Sequence, residues 1–325
     1  MDHAYQRCGP RERRHLQPPD PGSEAGRRGG RPQEPVGDRH QRSRRVHRAG
    51  RGGQGRSARR RQCSVGRSRL TPLTERSNRV AAALKLQRPA GRRHAARFLV
   101  EGPNLVEAAL RRGVVSEVFV TAGALDRFGA LLDGAPVSVI TEKAAKALSE
   151  TVTPVGLVAV CALPSVSLDD VLTSEPRLLA VAVGMSEPGN AGTLIRIADA
   201  MGADAVVFAG HSVDPYNGKC LRSSAGSIFS LPVVVDPDAA GVVSAIRAGG
   251  IEVLATALDA SVDIRAADLS ARTAWLFGPE AHGLPDDVMA LASQRVHIPM
   301  RGSAESLNVA AAASICLYES SRAHS

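Results

Sequence analysis

Residues 297–309 read HIPMRGSAESLNV, and an alanine-rich apolar run follows them as far as Tyr318. The first of these residues are typical of a short strand that ends at Pro299, because proline cannot donate to a sheet ladder. The small residues that follow predict a loop that a ligand can approach closely, and a helix is expected to begin near Ser306. Its first N–H groups would be unpaired and would face that loop. By itself the pattern favours an ordinary strand, loop and core helix, so its interpretation depends on two earlier stretches.

The first of these, residues 187–198, reads EPGNAGTLIRIA and directly follows a predicted strand. Proline and glycine predict a turn, and Asn190 is placed to cap the helix that comes next. Arg196 lies further along this helix among apolar neighbours, where a cation needs a partner. An RNA phosphate would supply one, since a guanidinium group binds phosphate oxygens well.

The second stretch, residues 276–285, reads LFGPEAHGLP and again ends a predicted strand. Gly278 and Gly283 permit a ligand to approach the backbone closely, and Glu280 places a carboxylate beside them. His282 is more typical of a loop residue than of a metal ligand, because no second histidine or cysteine stands nearby in the sequence. The stretch matches neither the G-x-G-x-x-G fingerprint nor a Walker loop, so a nucleotide phosphate is not the expected ligand.

Outside these motifs, the candidate RNA-contacting residues of the folded part fall in two places. Residues 219–227, KCLRSSAGS, put Arg222 with small hydroxyl residues on a loop or at a helix start, and both RNA backbone contact and a plain helical segment fit. The second place is residues 73–97, where Thr74 is a candidate N-cap of a short helix. A solvated charged face and an RNA-binding face explain this segment about equally well. Its candidate RNA contacts are Arg76, Arg79, Arg92 and Arg93.

The net charge of +9 is unevenly distributed along the chain. Residues 1–70 hold nineteen arginines, no lysine and six acidic residues, a net charge of +13, which leaves −4 for the remainder. Such a segment cannot bury enough apolar surface to offset its ordering entropy, so residues 1–72 are expected to be disordered. They are either an arginine-rich arm for RNA phosphates or a stretch without selected function, even one translated from a misassigned start. The second interpretation is favoured.

The five cysteines are far apart and lack metal-ligand spacing, which is typical of a reduced cytosolic protein without a bound metal. No apolar run in the sequence reaches the length of a membrane span, and the N-terminus lacks the apolar core of a signal peptide. A soluble, cytoplasmic protein that does not associate with membranes is therefore expected.

Two α/β series follow the basic segment. Residues 98–163 alternate four short apolar strands with three helices, which predicts a small α/β/α domain with a binding role. After a linker at residues 164–176, residues 177–325 contain six near-continuous apolar strands, which predicts a parallel sheet covered on both faces. In such sheets ligands sit beyond the carboxyl ends of the strands. The predicted strands are 98–100, 114–120, 137–140, 156–163, 178–184, 205–209, 232–235, 251–258, 273–277 and 295–299.

Taken together, these motifs resemble those of the SpoU/TrmH-type RNA ribose 2′-O-methyltransferases of the SPOUT superfamily, over residues 73–322. The resemblance implies a C-terminal domain with a deep trefoil knot and a small N-terminal domain similar to an RNA-binding ribosomal protein. It also implies a homodimer, in which Arg196 approaches the partner's site, and S-adenosylmethionine as the cofactor. The implied cofactor-binding residues are Gly278, Gly283, Ile298, Met300 and Leu307. The implied catalytic residues are Asn190, Arg196, Glu280, Ser306 and Asn308. Glu187 stands where the family commonly has aspartate.

The implied reaction is methylation of a ribose 2′-hydroxyl, with 23S ribosomal RNA favoured over transfer RNA as the substrate. Arg196 would be a costly general base, because the pKa of arginine lies above about 12. We therefore expect it to hold the phosphate beside the target ribose. Ser306 and Asn308 could alternatively be helix caps. A non-catalytic RNA-binding or ribosome-assembly factor on the same fold is the alternative from a different class.

Overall fold

The computed structural model describes residues 71–279 and 283–324. Residues 1–70, which make up nearly all of the predicted disordered segment, lie outside the described residues, as do Glu280 and His282. Among the described residues, no helix combines the length and apolar character needed to cross a bilayer.

The first domain is a small α/β/α unit, as the sequence predicts. Its four strands form a mixed sheet of order β1-β4-β2-β3, in which β4 is antiparallel to both neighbours and β2 is parallel to β3. Because side chains alternate along a strand, Val118 and Val120 of β2 face one layer of helices and Phe119 faces the other. Its elements are α1 Asn78–Leu84, α2 Pro89–Ala95, β1 Arg97–Glu101, α3 Pro103–Arg112, β2 Val115–Val120, α4 Ala122–Phe128, β3 Val137–Val139, α5 Glu142–Leu148 and β4 Leu157–Ala162.

The basic segment 73–97 is an integral part of this domain. Leu73 forms a bridge beside β3, and its N–H donates to the carbonyl of Val139 at 2.8 Å. Val80 and Leu86 are buried in the same core cluster as Phe119. The predicted cap is wrong by one turn, because Ser77 rather than Thr74 precedes α1. The sequence suggested a boundary at residue 98, but the segments on its two sides pack into one domain.

The predicted linker contains a helix, α6 Leu168–Thr173. Ser167 and Asp170 form a capping box at its start, with each side chain accepting from the backbone N–H of the other residue. Leu168 and Val171 are buried against the large sheet. The segment thus belongs largely to the second domain.

The second domain contains a seven-stranded, entirely parallel sheet of order β7-β6-β5-β10-β8-β11-β9. The six predicted strands are confirmed, and the seventh, β9, is only two residues long. The elements are β5 Leu178–Val183, α7 Pro188–Ala200, β6 Ala205–Ala209, α8 Gly218–Ser224, β7 Val233–Asp236, α9 Ala239–Ala248, β8 Glu252–Thr256, β9 Val262–Asp263, β10 Thr273–Phe277, α10 Asp286–Ala290, β11 Gln294–His297 and α11 Val309–Ala323.

Helices cover both faces of this sheet. Residues of α7, α8 and α11 pack on one face, and residues of α6, α9 and α10 pack on the other. The strand order reverses at the centre, because β5, β6 and β7 proceed outward on one side and β10 returns to lie between β5 and β8. Ligand sites of parallel sheets form where the order reverses, beyond the carboxyl ends of the strands.

The C-terminal helix is fixed to the central strand. The indole Nε1 of Trp275 in β10 donates to Ser320 Oγ of α11 at 2.8 Å, and both residues are fully buried. The alanine-rich start of α11 packs closely against α7, with Ala310 and Ala313 buried. The absence of bulky side chains in this run therefore permits a close helix contact.

The two domains share a buried contact. The ring of Phe98 in β1 lies 4.9 Å from that of Tyr216 and 6.2 Å from that of Phe229, measured between centroids. Both partner rings belong to the segment around α8. Burial raises the pKa of the Tyr216 hydroxyl above its usual range, so this contact stays uncharged at all physiological pH values.

Candidate active site

A cavity of about 200 Å³ opens beyond the carboxyl ends of β8, β10 and β11. All five residues predicted to bind the cofactor line it: Gly278, Gly283, Ile298, Met300 and Leu307. Ser306 lines it as well. The structure thus brings together two loops that lie more than ten residues apart in the sequence, although the role of each residue stays a prediction.

Each glycine of the second motif has its own structural reason, which is close packing at Gly278 and backbone conformation at Gly283. A Cβ added to Gly278 would come within 2.7 Å of the backbone of Gly283 and Leu284. Gly283 has a φ of +66°, which favours glycine, and its N–H donates to the carbonyl of Pro279 at 2.9 Å. Gly278 and Gly283 are therefore held close together, and both line the cavity.

Sequence reasoning missed the third wall of this cavity, which the loop after β8 provides. Thr256, Ala257 and Leu258 all line it. Leu258 was predicted to belong to the strand, but β8 ends at Thr256 and the Leu258 side chain is 72% exposed. The position of this loop at the carboxyl end of a parallel strand was the signal that could have identified it.

The lining fits a cofactor with apolar surfaces and a few polar groups. Leu284, Val296, Ile298 and Leu307 supply aliphatic walls, and Ser306 supplies a hydroxyl. Small-molecule sites are mostly apolar with a small number of placed polar groups. These properties suit the adenine ring and the aliphatic parts of S-adenosylmethionine.

Asn190 and Asn308 connect the first motif to the third. The Nδ2 of Asn308 donates to Oδ1 of Asn190 at 3.2 Å. Asn308 is also the N-cap of α11, where its Oδ1 accepts from the N–H of Ala310 at 2.9 Å. The predicted helix start near Ser306 is therefore wrong by three residues, and Ser306 lies in the loop.

Asn190 is not a helix cap. Glu187 precedes α7 and accepts from the N–H of Gly189 at 3.4 Å, which places Asn190 in the first helical turn. Glu187 also pairs with Lys219 of α8, and this pair holds the pKa of the Glu187 carboxyl below its usual value. The first turn of α7 is thus fixed on one side by α8 and on the other by α11.

Arg196 is exposed on α7, so the apolar residues beside it in the sequence do not surround it. Leu194 and Ile195 are fully buried and face the core instead. The argument that local burial forces a partner on this cation is therefore wrong, since the helix directs the guanidinium to the surface. Arg196 lies six residues after Asn190, roughly 9 Å along the helix axis.

The predicted RNA contacts of the basic segment divide into two groups. Arg76 and Arg93 are exposed, and Arg79 is exposed although it pairs with Glu117 and donates to Ser138 Oγ at 2.7 Å. These three remain accessible to a phosphate. The fourth, Arg92, is not.

Arg92 is only 3% exposed, which corrects its prediction as an RNA contact. Its Nε and Nη2 donate to Asp214 Oδ2 at 2.8 and 2.5 Å. Its Nη1 donates to the carbonyls of Leu86 and Gln87 at 3.0 and 3.1 Å. The guanidinium group is therefore used in joining the two domains.

A glycine-lined cavity at the carboxyl edge of an open parallel sheet defines a ligand-binding α/β protein, here with a second, basic domain packed beside it. Residues 177–318 match the SpoU rRNA Methylase family model, and residues 77–159 match the MRM3-like substrate binding domain model. The chain belongs to the SpoU rRNA methylase family.

Two bacterial relatives illustrate the similarity in sequence. The 23S rRNA (guanosine(2553)-2′-O)-methyltransferase RlmP of Bacillus subtilis is 39% identical over 68% of this chain and 87% of its own length. The 23S rRNA (uridine(2479)-2′-O)-methyltransferase of Streptomyces viridochromogenes is 40% identical over 52% of this chain and 61% of its own length.

Two solved structures show the same similarity in fold. The SpoU methyltransferase AviRb from Streptomyces viridochromogenes, in complex with AdoMet, has a TM-score of 0.67 and 32% identity, over 76% of this chain and 98% of that one. The AdoMet-bound rRNA methyltransferase from Sinorhizobium meliloti has a TM-score of 0.69 and 30% identity, over 77% and 97%.

Proposed function

We propose that this protein is an S-adenosylmethionine-dependent enzyme that methylates a ribose 2′-hydroxyl of 23S ribosomal RNA. One observation carries the proposal: the loops that hold the second and third motifs line one cavity, and an Asn190–Asn308 hydrogen bond joins the first motif to the third. The relatives named as 23S rRNA 2′-O-methyltransferases support the substrate, and the AdoMet-bound relatives support the cofactor.

S-adenosylmethionine, when bound, supplies an electrophilic methyl group. Gly278, Ile298 and Leu307 hold this cofactor largely through main-chain groups, as their place in the cavity lining supports. The hydrogen bond between Asn190 and Asn308 holds the first turn of α7 next to the start of α11. Alignment of the reacting groups alone can lower a barrier by about 7–11 kcal/mol in favourable cases.

Arg196 binds the phosphate beside the target ribose. Its exposure in the single chain, and the lack of any ion pair to it among the described residues, support a contact with another molecule. Removal of the hydroxyl proton by Arg196 itself would be unfavourable at neutral pH. Ser306 supplies a polar group to the site, since it lines the cavity. Glu280 lies outside the described residues, and its catalytic role is proposed from the family resemblance.

The finer features of the fold belong to the same proposal. We propose a deep trefoil knot, which is supported by the return of β10 between β5 and β8 and by the packing of α11 on α7 and β10. We also propose a homodimer in which Arg196 reaches the partner's cavity. A cytoplasmic location follows from the ribosomal substrate.

Transfer of a labelled methyl group tests the function. The purified protein with tritiated S-adenosylmethionine should label 23S ribosomal RNA and leave transfer RNA unlabelled, and mapping of ribose methylation in cells with and without the protein should identify one position. Binding of S-adenosylmethionine without labelling of either RNA would instead support a non-catalytic RNA-binding factor.

A further inference from the structure

The segment around α8 carries two ion pairs to the small domain, and their properties differ. Arg92 and Asp214 form the buried pair described above, with side chains 4% and 27% exposed. Glu150 and Arg222 form the other, with side chains 38% and 37% exposed and 3.7 Å between Oε2 and Nη1. The positive partner comes from the small domain in the first pair and from the second domain in the other.

The buried contacts hold the domains together without help from the second pair. Arg92 makes four hydrogen bonds to protein atoms, and Phe98 packs on the rings of Tyr216 and Phe229. The Glu150–Arg222 distance exceeds the 2.7–2.9 Å of a direct charge-assisted hydrogen bond. A half-exposed pair of this kind stabilises a protein by about 0–1 kcal/mol, so it can be exchanged at little cost.

The loop that carries Glu150 is fixed by its neighbours. Ser149 Oγ and Thr151 Oγ1 both donate to Glu101 Oε1, at 2.5 and 2.9 Å. The carboxylate and the guanidinium both lie over Gly218, where an added Cβ would come within 2.1 Å of Glu150 Oε2 and 3.0 Å of Arg222 Nη1. Replacement of the Glu150 charge therefore leaves the loop and the domain contact in place.

We propose that Glu150 is an exchangeable counter-ion that holds Arg222 until a phosphate of the substrate RNA replaces it. The same carboxylate repels RNA and keeps the guanidinium in position, so it sets the affinity for the substrate. This inference rests on the proposed contact between Arg222 and RNA. It is consistent with the net charge of −4 in residues 71–325, where RNA must compete with carboxylates for the cations it binds.

The test compares Glu150→Gln with Glu142→Gln, which removes an exposed carboxylate of the same domain at the start of α5. Filter binding with deproteinised 23S ribosomal RNA should show about two- to fivefold tighter binding for Glu150→Gln than for Glu142→Gln. The affinity for S-adenosylmethionine, measured by calorimetry, should be the same in both variants.

The double variant Glu150→Gln, Arg222→Gln decides whether the gain acts through Arg222. The double variant should bind RNA no more tightly than Arg222→Gln does, because the cation that the first substitution frees is absent. Equal RNA binding by Glu150→Gln and Glu142→Gln, or a gain that persists without Arg222, would overturn the exchange.

Arg222→Gln alone separates the inference from the function on which it rests. It should weaken RNA binding and reduce the slope of log affinity against log salt by roughly 0.7–0.9. An unchanged slope would contradict both the contact between Arg222 and RNA and the exchange of Glu150 for a phosphate. Methyl transfer to 23S ribosomal RNA by the wild-type protein would uphold the proposed enzymatic function in either case.

Discussion

The two domains are built from the same three layers but differ in strand direction, and the cavity lined by the motif loops lies at the edge of the parallel sheet. In the small domain β4 lies between β1 and β2 and runs against both, so the carboxyl ends of β1 and β2 are separated along their edge of the sheet. In the second domain all seven strands run the same way, and the loops after β8, β10 and β11 meet at one edge. Strand direction, more than composition, thus determines where a ligand site can form.

The prediction with the largest expected effect concerns whether methyl transfer depends on the second domain alone. Arg196→Ala should lower methyl transfer by at least about a hundredfold, because the phosphate beside the ribose loses its contact and alignment is lost. The matched change in the small domain, Arg111→Ala, should leave the rate within about twofold. Label transfer measures both variants, and calorimetry should show unchanged affinity for S-adenosylmethionine. Loss of cofactor binding in Arg196→Ala would contradict the role assigned to it.

A second prediction concerns the contact between the domains. Arg92→Met should lower the free energy of unfolding by about 2–3 kcal/mol, since it leaves Asp214 without its partner in a largely buried place. Arg93→Met, one residue further along α2 and exposed, should change it by no more than about 0.5 kcal/mol. Urea denaturation followed by circular dichroism compares them. Equal effects would show that the buried ion pair contributes no more than a surface charge.

A third prediction contrasts one glycine from each domain. Gly278→Ala should cost about 1–3 kcal/mol of local strain, because its Cβ would overlap the backbone of Gly283 and Leu284. Its affinity for S-adenosylmethionine should fall about tenfold or more. Gly123→Ala in α4 meets no atom within 4 Å and should leave the affinity unchanged. Tight cofactor binding by Gly278→Ala would show that the loop adjusts freely.

The last prediction concerns residues 1–70, whose removal is expected to have no effect. Removal of residues 1–70 should leave the melting temperature and the rate of methyl transfer unchanged if the arginine-rich segment has no selected function. Differential scanning fluorimetry and label transfer check this. A large drop in affinity for 23S ribosomal RNA would favour the alternative, an arm that binds phosphates.

The strands and the site loops could be predicted because their signals are local. Buried parallel strands are continuous apolar runs, and the residues that end them carry glycine, proline and polar side chains. The helix α6 was also signalled by Ser167 and Asp170, but the flanking prolines favoured a linker. β9 is too short for any periodicity to indicate it.

The remaining errors concern partners that are distant in the sequence. The sequence around Arg92 is typical of an exposed cation, because its partner Asp214 lies 122 residues later in the chain. Arg196 looks enclosed in sequence, whereas the helical turn directs it outward. Between Ser306 and Asn308 the sequence offers two possible caps, and the hydrogen bond to Ala310 decides for Asn308.

The chain contains one tryptophan, and it is the fully buried Trp275 beneath α11. Its indole fluorescence therefore originates from the second domain alone, at the point where the C-terminal helix meets the central strand. Detachment of that helix would expose the indole ring to water and shift its emission to longer wavelength. Unfolding of the small domain would leave the spectrum unchanged. The protein thus contains a built-in optical probe that distinguishes the last step of assembly of its site from the folding of the domain beside it.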